Sequence, residues 1–305
     1  MSKGARKQVQ SARGKAAAQQ AREKVAAQRA AARRAQARRR ALIVGGAITV
    51  VLAVVAALIA VKLARTPARV APATSDAAVE HAIASIPAAT FNAVGAGTAT
   101  HLKAISGQPE LTLNGKPEVL YMGGEYCPYC AAERWAVAAA LGRFGVLSGT
   151  KFIHSSPTDV YPSTPTLSFY KSAYTSRYVA FTPVEWFGEA LDPATPFGHA
   201  YLQRPTTEQA ALLNRYSGGG FPFVDIGNRY LVPEAQYLPS ALSGMSWSAV
   251  AAAMRAPSSP VAKDIDGAAN IITAAICKIT NGQPGGVCTS AGVTAAASSL
   301  RSQAQ

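Results

Sequence analysis

Histidine and cysteine, which supply most protein ligands for transition metals, are scarce in this chain. Only four residues of each type occur among 305 residues, and no two histidines form a pair at ligand spacing. The cysteines form two pairs, Cys127–Cys130 and Cys277–Cys288, whose spacing does not fit a zinc knuckle. The run Gly218–Gly220 lacks the Lys-Ser/Thr that follows a phosphate loop. We therefore expect no metal site and no bound cofactor.

Acidic residues are also few, and the charge is concentrated at one end of the chain. The chain has 30 Lys/Arg against 16 Asp/Glu, but residues 1–40 hold 13 of the basic residues and one acid, Glu23. Such a segment is typical of a solvated arm that touches anionic lipid. Because no aromatic residues are interleaved with the charges, we expect no nucleic-acid partner.

A long uncharged run follows the basic arm. Leu42 to Val61 contains 20 residues without a charge, which as a helix is about 30 Å, the thickness of a bilayer's hydrocarbon core. We therefore predict a single transmembrane helix at 41–63. The basic flank predicts that the N-terminus stays in the cytoplasm and that the rest of the chain lies outside the cytoplasmic membrane. Disulfides persist in that compartment.

The motif Cys127-Pro128-Tyr129-Cys130 lies between a predicted strand and a predicted helix. The apolar run Val119–Met122 and two glycines precede it, and an alanine-rich stretch to Leu141 follows it. A cysteine at the start of a helix gains thiolate stabilisation from free N–H groups and the positive end of the helix dipole. This context favours redox chemistry, with Cys127 as the nucleophile and Cys130 as the resolving thiol. A zinc half-site and a purely structural disulfide are the alternatives.

The order of the predicted elements resembles the thioredoxin fold. The first strand and the motif's helix are followed by a strand at Lys151–Ser155, an aromatic-rich insertion at Tyr161–Tyr201, a helix from Thr206 and a hairpin opened by Phe221-Pro222. In that superfamily a cis-proline at this position faces the active cysteines. The resemblance implies that Phe221 and Pro222 bind substrate, and we expect Tyr126 and Tyr129 to shape the surface beside them. An ordinary trans proline is the alternative.

Three segments resemble the DUF929 family, which comprises membrane-anchored or exported thioredoxin-like proteins of actinobacteria and archaea. The segments are GEYCPYCAAERWA, FPFVDIGN and the late ICK…GQP…VC. The resemblance covers roughly residues 100–290 and implies an α/β, thioredoxin-like domain. One position departs from the thioredoxin pattern, because Tyr121 stands where an acid often accepts the proton of the buried thiol. The nearest acid, Glu125, is expected to be solvated in the turn.

Cys277 and Cys288 are predicted to form a structural disulfide. Ten residues separate them, and these include three glycines and Pro284. Such a loop can fold back and bring the two Cα atoms within disulfide reach. A second redox pair that exchanges electrons with Cys127–Cys130 is the alternative.

These observations predict both an organisation and a function. We expect a basic cytoplasmic arm at 1–40, a transmembrane helix at 41–63, a spacer at 64–100, a thioredoxin-like extracytoplasmic domain at 101–290 and a disordered tail at 291–305. The spacer is expected to become partly helical around Asp76 to Ile86. The expected function is a thiol–disulfide oxidoreductase, an oxidase or isomerase rather than a reductase. Its expected partners are cysteine-containing exported proteins and a membrane redox partner. The alternative is a non-catalytic binding or scaffold protein of the cell envelope, with its CPYC pair held as a structural disulfide.

Overall fold

The computed structural model describes residues 75–100 and 102–301. The basic arm predicted at 1–40 and the membrane span predicted at 41–63 lie outside these residues, as does most of the predicted spacer. Within the described part of the chain, no helix is both long enough and apolar enough to cross a membrane.

Helices make up about half of the described elements, and the longest of them lies in the C-terminal third. They are Asp76–Ala84 (α1), Ala88–Val94 (α2), Pro128–Leu141 (α3), Thr207–Ser217 (α4), Trp247–Met254 (α5), Pro260–Ile279 (α6), Gly285–Cys288 (α7) and Ala291–Arg301 (α8), with a 3-10 turn at Pro239–Leu242. Several begin at a side-chain cap. Ser246 caps α5, and Thr206 forms a reciprocal capping box with Gln209 at the start of α4.

The strands form one mixed sheet and two small two-stranded sheets. They are Lys103–Ala104 (β1), Thr112–Leu113 (β2), Lys116–Gly124 (β3), Gly145–Ser148 (β4), Lys151–His154 (β5), Pro165–Ser168 (β6), Ala173–Ser176 (β7), Ala180–Leu191 (β8), His199–Tyr201 (β9), Phe223–Ile226 (β10) and Tyr230–Val232 (β11). The main sheet has the order β1-β11-β10-β3-β8-β9, with β2 paired to one end of β3. The small sheets are β4-β7 and β5-β6.

Strand β3 lies at the centre of the main sheet. It pairs in parallel with β8 and antiparallel with β10, which in turn forms an antiparallel hairpin with β11. The sequence order β3-α3-β8-α4-β10-β11-α6 therefore places a parallel β-α-β unit beside an antiparallel hairpin. This mixed α/β arrangement is consistent with the expected thioredoxin-like fold.

Both faces of the main sheet are covered, which explains why β3 is apolar without alternation. Successive side chains of a strand point to opposite faces. Val119 and Tyr121 accordingly lie in the larger core, with residues of α3 and α6, whereas Leu120 and Met122 lie in a smaller core with Leu213 of α4.

The predicted strand at Lys151–Ser155 is not a neighbour of β3 in the main sheet. A strand does form at Lys151–His154, but it pairs with β6 outside the main sheet. The neighbour is β8, from the segment that was expected to be an insertion. It is 12 residues long and carries Val184 and Phe187 into the core, whereas β5 is four residues long and buries mainly Phe152.

Two segments outside the domain predicted at 101–290 contain helices. The predicted spacer at 64–100 contains α1 and α2, whose apolar side chains enter the larger core, Val79 and Phe91 among them. The predicted disordered tail at 291–305 contains α8, which buries Val293, Ala296 and Leu300. Both segments are alanine-rich. Their few large apolar residues become buried because α1 packs against α3 and α5, and because α2 and α8 pack against α6.

Candidate functional site

The two cysteines of the CPYC motif lie where β3 ends and α3 begins. Cys127 is the N-cap residue of α3, with extended backbone, and its Sγ accepts a hydrogen bond from the N–H of Cys130 at 3.3 Å. The thiol thus occupies the place that a serine or aspartate oxygen usually takes at a helix start. Pro128 follows in the first turn, where its missing N–H is not needed.

The two thiols have different surroundings. Cys127 is 7 % exposed, whereas Cys130 is fully buried. The pKa of Cys127 is lowered, chiefly by hydrogen bonds from the thiol and N–H of Cys130 and also by the charge of Arg134, although burial opposes the shift. Burial raises the pKa of Cys130 well above its ordinary value, and the neighbouring Cys127 raises it further. Cys127 is therefore the thiol that ionises first.

The loop before β10 lies at the same end of the sheet as the cysteines. Strand β10 pairs with β3 so that Phe223 is opposite Met122. The peptide bond between Phe221 and Pro222 is cis, as predicted. Continuing the antiparallel register by one residue brings Pro222 beside Gly123, four residues before Cys127.

Aromatic rings connect the turn that carries the cysteines with the loop that carries the cis-proline. The aromatic cluster consists of Tyr126, Trp186, Phe187, Phe197, His199, Tyr201 and Phe221. Tyr126 stacks on His199 at a centroid distance of 4.0 Å. Phe187 and Phe197 each contact both Tyr126, at 6.4 Å, and Phe221, at 6.3 and 5.6 Å. Strands β8 and β9 and the turn between them therefore supply the rings that connect the cysteine turn to the cis-proline loop.

Tyr129, the fourth predicted substrate-binding residue, lies outside the aromatic cluster. Its ring contacts Tyr161 edge-on at 5.6 Å. The same loop, between β5 and β6, is fastened to the cysteine turn by a hydrogen bond from the N–H of Ser156 to the carbonyl of Tyr126 at 2.8 Å. The structure thus brings Tyr126, Phe221 and Pro222 together and gives Tyr129 a different neighbour.

A buried ion pair lies about one helical turn beyond Cys130. Sequence reasoning did not find it. Arg134 of α3 donates two hydrogen bonds to Glu185 of β8, from Nε and from Nη2, both at 2.8 Å. Both side chains are fully buried. The sequence carried one signal for this pair. A charged residue within a helix that is otherwise almost entirely apolar needs a buried partner, but nothing local identifies that partner as Glu185.

Tyr121 occupies the position of the acid found in many thioredoxins. It is fully buried, and its hydroxyl has no hydrogen-bond partner among the described residues. Burial raises its pKa well above the ordinary value, so it stays protonated. A side chain at position 123 would overlap with the Tyr121 hydroxyl, which explains the glycine there.

Glu125 is less solvated than the sequence predicted. It is partly buried, and the hydroxyl of Ser168 donates a hydrogen bond to its Oε1. Burial raises the pKa of this carboxyl, although the hydrogen bond from Ser168 opposes the shift. Ser168 of β6 lies beside the turn that carries Glu125, which is why the side chain is only partly exposed to solvent.

Cys277 and Cys288 form a disulfide, as predicted, with their Cα atoms 5.6 Å apart. The bridge joins the last turn of α6 to α7. In the described residues, no group of three or more His, Cys, Asp or Glu side chains is placed to hold a metal ion.

The family model described as "Domain of unknown function (DUF929)" matches residues 103–278. The matched segment contains Cys127, Cys130, the Arg134–Glu185 pair and Phe221-Pro222, and it covers more than half of the chain. No curated protein matches the chain, and no solved structure does. The chain therefore belongs to the DUF929 family.

Proposed function

We propose that this protein is a membrane-anchored thiol–disulfide oxidoreductase with a thioredoxin-like fold that acts outside the cytoplasmic membrane through Cys127 and Cys130. The observation that carries the proposal is the asymmetry of the two thiols at the start of α3. One has a lowered pKa and some exposure, and the other is fully buried with a raised pKa. Nucleophilic and resolving thiols need that difference.

The proposed reaction transfers two electrons from a dithiol substrate to the Cys127–Cys130 disulfide. A substrate thiolate attacks Cys127 Sγ, the bond between Cys127 and Cys130 breaks, and Cys130 leaves as a thiolate that takes up a proton. A second substrate thiolate attacks the substrate sulfur of the mixed disulfide, and Cys127 leaves as a thiolate. The substrate is oxidised to a disulfide, and the pair is reduced to two thiols. A disulfide-bearing membrane partner would then reoxidise the pair.

Two features support the oxidising or isomerising direction. A thiol with a lowered pKa is a good leaving group, and stabilisation of its thiolate favours the reduced pair, which makes the disulfide form a stronger oxidant. The uncharged run and basic arm support an extracytoplasmic location, in which exported cysteine-containing proteins are the available substrates.

The proposal is tested by disulfide exchange with the full-length chain. Oxidised protein is mixed with a reduced peptide that contains two cysteines, and disulfide formation in the peptide is followed. Cys127→Ser should abolish exchange. Reduced Cys130→Ala, mixed instead with the disulfide form of the same peptide, should attack it through Cys127 and accumulate a mixed disulfide, with one peptide cysteine released as a thiol. The double variant Cys277→Ala/Cys288→Ala, which removes the other pair, is the matched control and should retain exchange. Exchange by Cys127→Ser at the wild-type rate contradicts the proposal.

A non-catalytic binding module is the second candidate, because part of the aromatic cluster is accessible. Phe197 and Tyr201 are 44 % and 38 % exposed, which suits contact with a protein partner. Equilibration with a redox buffer separates the candidates. A Cys127–Cys130 potential well above roughly −300 mV favours exchange chemistry, whereas a lower potential favours a structural disulfide.

A further inference from the structure

Burying the two charges of the Arg134–Glu185 pair costs free energy, which suggests that the pair has a role other than stability. Removing two charges from water costs several kcal/mol per ion, and buried pairs can often be replaced by apolar residues without loss of stability. Here both side chains are fully buried. In addition, Nη1 of Arg134 has no hydrogen-bond partner in the part of the chain that the structure describes. A purely structural role would not require a buried guanidinium with an unused donor.

The pair is connected to the backbone that holds Cys127. Nη2 of Arg134 donates a hydrogen bond to the carbonyl oxygen of Gly124 at 2.7 Å, and the N–H of Cys127 donates to the same oxygen at 3.2 Å. Glu185 is opposite Gly123 in the pairing of β3 with β8. Its Oε1 also accepts the N–H of Phe169 at 3.1 Å, which fixes the carboxylate independently of Arg134.

The charge of Arg134 lies close to both thiols. Arg134 is four residues after Cys130, about one helical turn further along α3. It lowers the pKa of Cys127 and opposes the increase at Cys130. Of the two charges in the pair, that of Arg134 has the larger effect on both thiols, so the positive end of the pair dominates there. The charged and titratable groups around the thiols include Tyr121, Glu125, Tyr126, Tyr129, Arg134 and Glu185.

We propose that Arg134, held by Glu185, is a positioning residue whose buried charge stabilises the Cys127 thiolate, and that Glu185 limits the size of this effect. The consequence for disulfide exchange rests on the function proposed above. Removing both charges should make Cys127 harder to ionise and a poorer leaving group. Removing only the charge of Glu185 should have the opposite effect, because the guanidinium then acts on the thiolate without compensation.

The test is a pH titration of the Cys127 thiolate, followed by its ultraviolet absorbance. All variants are made in the full-length Cys130→Ala chain, in which Cys127 is the one remaining thiol because Cys277 and Cys288 are bridged. Arg134→Met/Glu185→Gln removes both charges and keeps an acceptor for the N–H of Phe169. We expect about tenfold less thiolate than in the parent at a fixed pH below the midpoint, and a higher midpoint.

Further variants separate charge from structure. Glu185→Gln alone should lower the midpoint, and Arg134→Lys, which keeps the charge, should leave it close to the parent value. Glu133→Gln is the matched control, because Glu133 is on the same helix and is also fully buried, but no shift of either thiol is attributed to it. It should not move the midpoint. Circular dichroism reports whether each variant is folded.

The double variant and Glu185→Gln decide the inference. An unchanged midpoint in a folded Arg134→Met/Glu185→Gln variant overturns it. If that variant does not fold, Glu185→Gln decides alone, since a lower midpoint supports the inference and an equal or higher one overturns it. The titration does not depend on exchange activity. A chain that shows the midpoint shifts but exchanges no disulfides refutes the proposed function alone, and active exchange with unmoved midpoints refutes this inference alone.

Discussion

Cys127 and Cys130 are three residues apart, yet they differ in the stability of their thiolates. The N-cap position of Cys127 turns its Sγ toward the N–H of Cys130. Cys130 lies inside the first turn, where α3 is buried against the sheet. One turn of helix is thus enough to separate a thiol that ionises readily from one that does not.

This difference predicts selective alkylation of the reduced protein. With limiting iodoacetamide near neutral pH, Cys127 should be modified well before Cys130, because only thiolates react and the pKa of Cys127 is the lower one. Labelling of Cys127 should increase as the pH rises through its pKa and then level off. The measurement is mass spectrometry of the two modified forms. Faster labelling of Cys130 would reverse the assignment of roles.

A single buried acid also affects the stability of the protein. Asp266 of α6 is fully buried, and neither carboxylate oxygen has a hydrogen-bond partner among the described residues. Burial raises its pKa to about 8, although Arg143 opposes the shift. The folded protein therefore keeps this proton over a pH range in which the unfolded chain, with a pKa near 3.9, has lost it. Stability should fall as the pH rises from about 4 to 8.

Asp266→Asn should remove this dependence. The free energy of unfolding of the variant minus that of the wild type should increase, by on the order of 3 kcal/mol, as the pH rises from 5 to 8. Urea unfolding at the two pH values measures the difference. Glu110→Gln, which changes an exposed carboxyl, is the control and should show no such gain. An equal response of Asp266→Asn and the wild type to pH would contradict the assignment.

At the scale of elements, the C-terminal end of α6 depends on a covalent link. The Cys277–Cys288 bridge closes a short loop between α6 and α7, and Cys277 is itself part of the larger core. In the chain-entropy account, a bridge of this loop size restricts the unfolded chain and contributes about 3 kcal/mol.

Cys277→Ala/Cys288→Ala should therefore lower the free energy of unfolding by about 3 kcal/mol and leave the alkylation rate of Cys127 unchanged. Denaturant unfolding and alkylation kinetics measure the two quantities. The matched control is Cys127→Ala/Cys130→Ala. Under the same oxidising conditions, it should lose less free energy of unfolding than Cys277→Ala/Cys288→Ala. Normal stability together with lost turnover by a membrane partner would instead indicate a second redox pair.

At the scale of the whole molecule, the segments before and after the family-matched region belong to the folded unit. Asn270 of α6 donates hydrogen bonds to the carbonyls of Phe91 and Gly95, both at 2.8 Å. The N–H of Gly292 at the start of α8 donates to the side chain of Asn92 at 3.0 Å. Helices α2, α6 and α8 are thus held together by polar contacts as well as by apolar burial.

This arrangement predicts that α8 contributes to global stability. Leu300 is 4 % exposed and lies in the larger core, so Leu300→Ala should lower the free energy of unfolding by about 2 to 5 kcal/mol. Thr294→Ala, at an exposed position of the same helix, should change it little. Chemical denaturation of both variants is the measurement. Equal stability of the two would show that α8 does not belong to the cooperative unit.

The elements that the sequence determined by itself are those defined by neighbouring residues. The strand at Val119–Met122, the turn and helix around Cys127, the cap at Ser246 and the hairpin after Phe221-Pro222 all carry local signals of apolar run, cap or turn. The disulfide could also be predicted from the sequence, because the loop between its cysteines is short and rich in glycine. The arm and span at 1–63 depend on composition alone and stay predictions.

Tertiary structure decided everything that depends on residues far apart in the chain. Lys151–His154 and Ala180–Leu191 both have strand character, and packing against β3 and α3 selected the second as the neighbour of β3. The same pairing brought Glu185 to Arg134, 51 residues away, and so placed a buried charge below the cysteines. No local pattern encodes these choices, because the free energy that favours them comes from burial and ion pairing that exist only after the chain has folded.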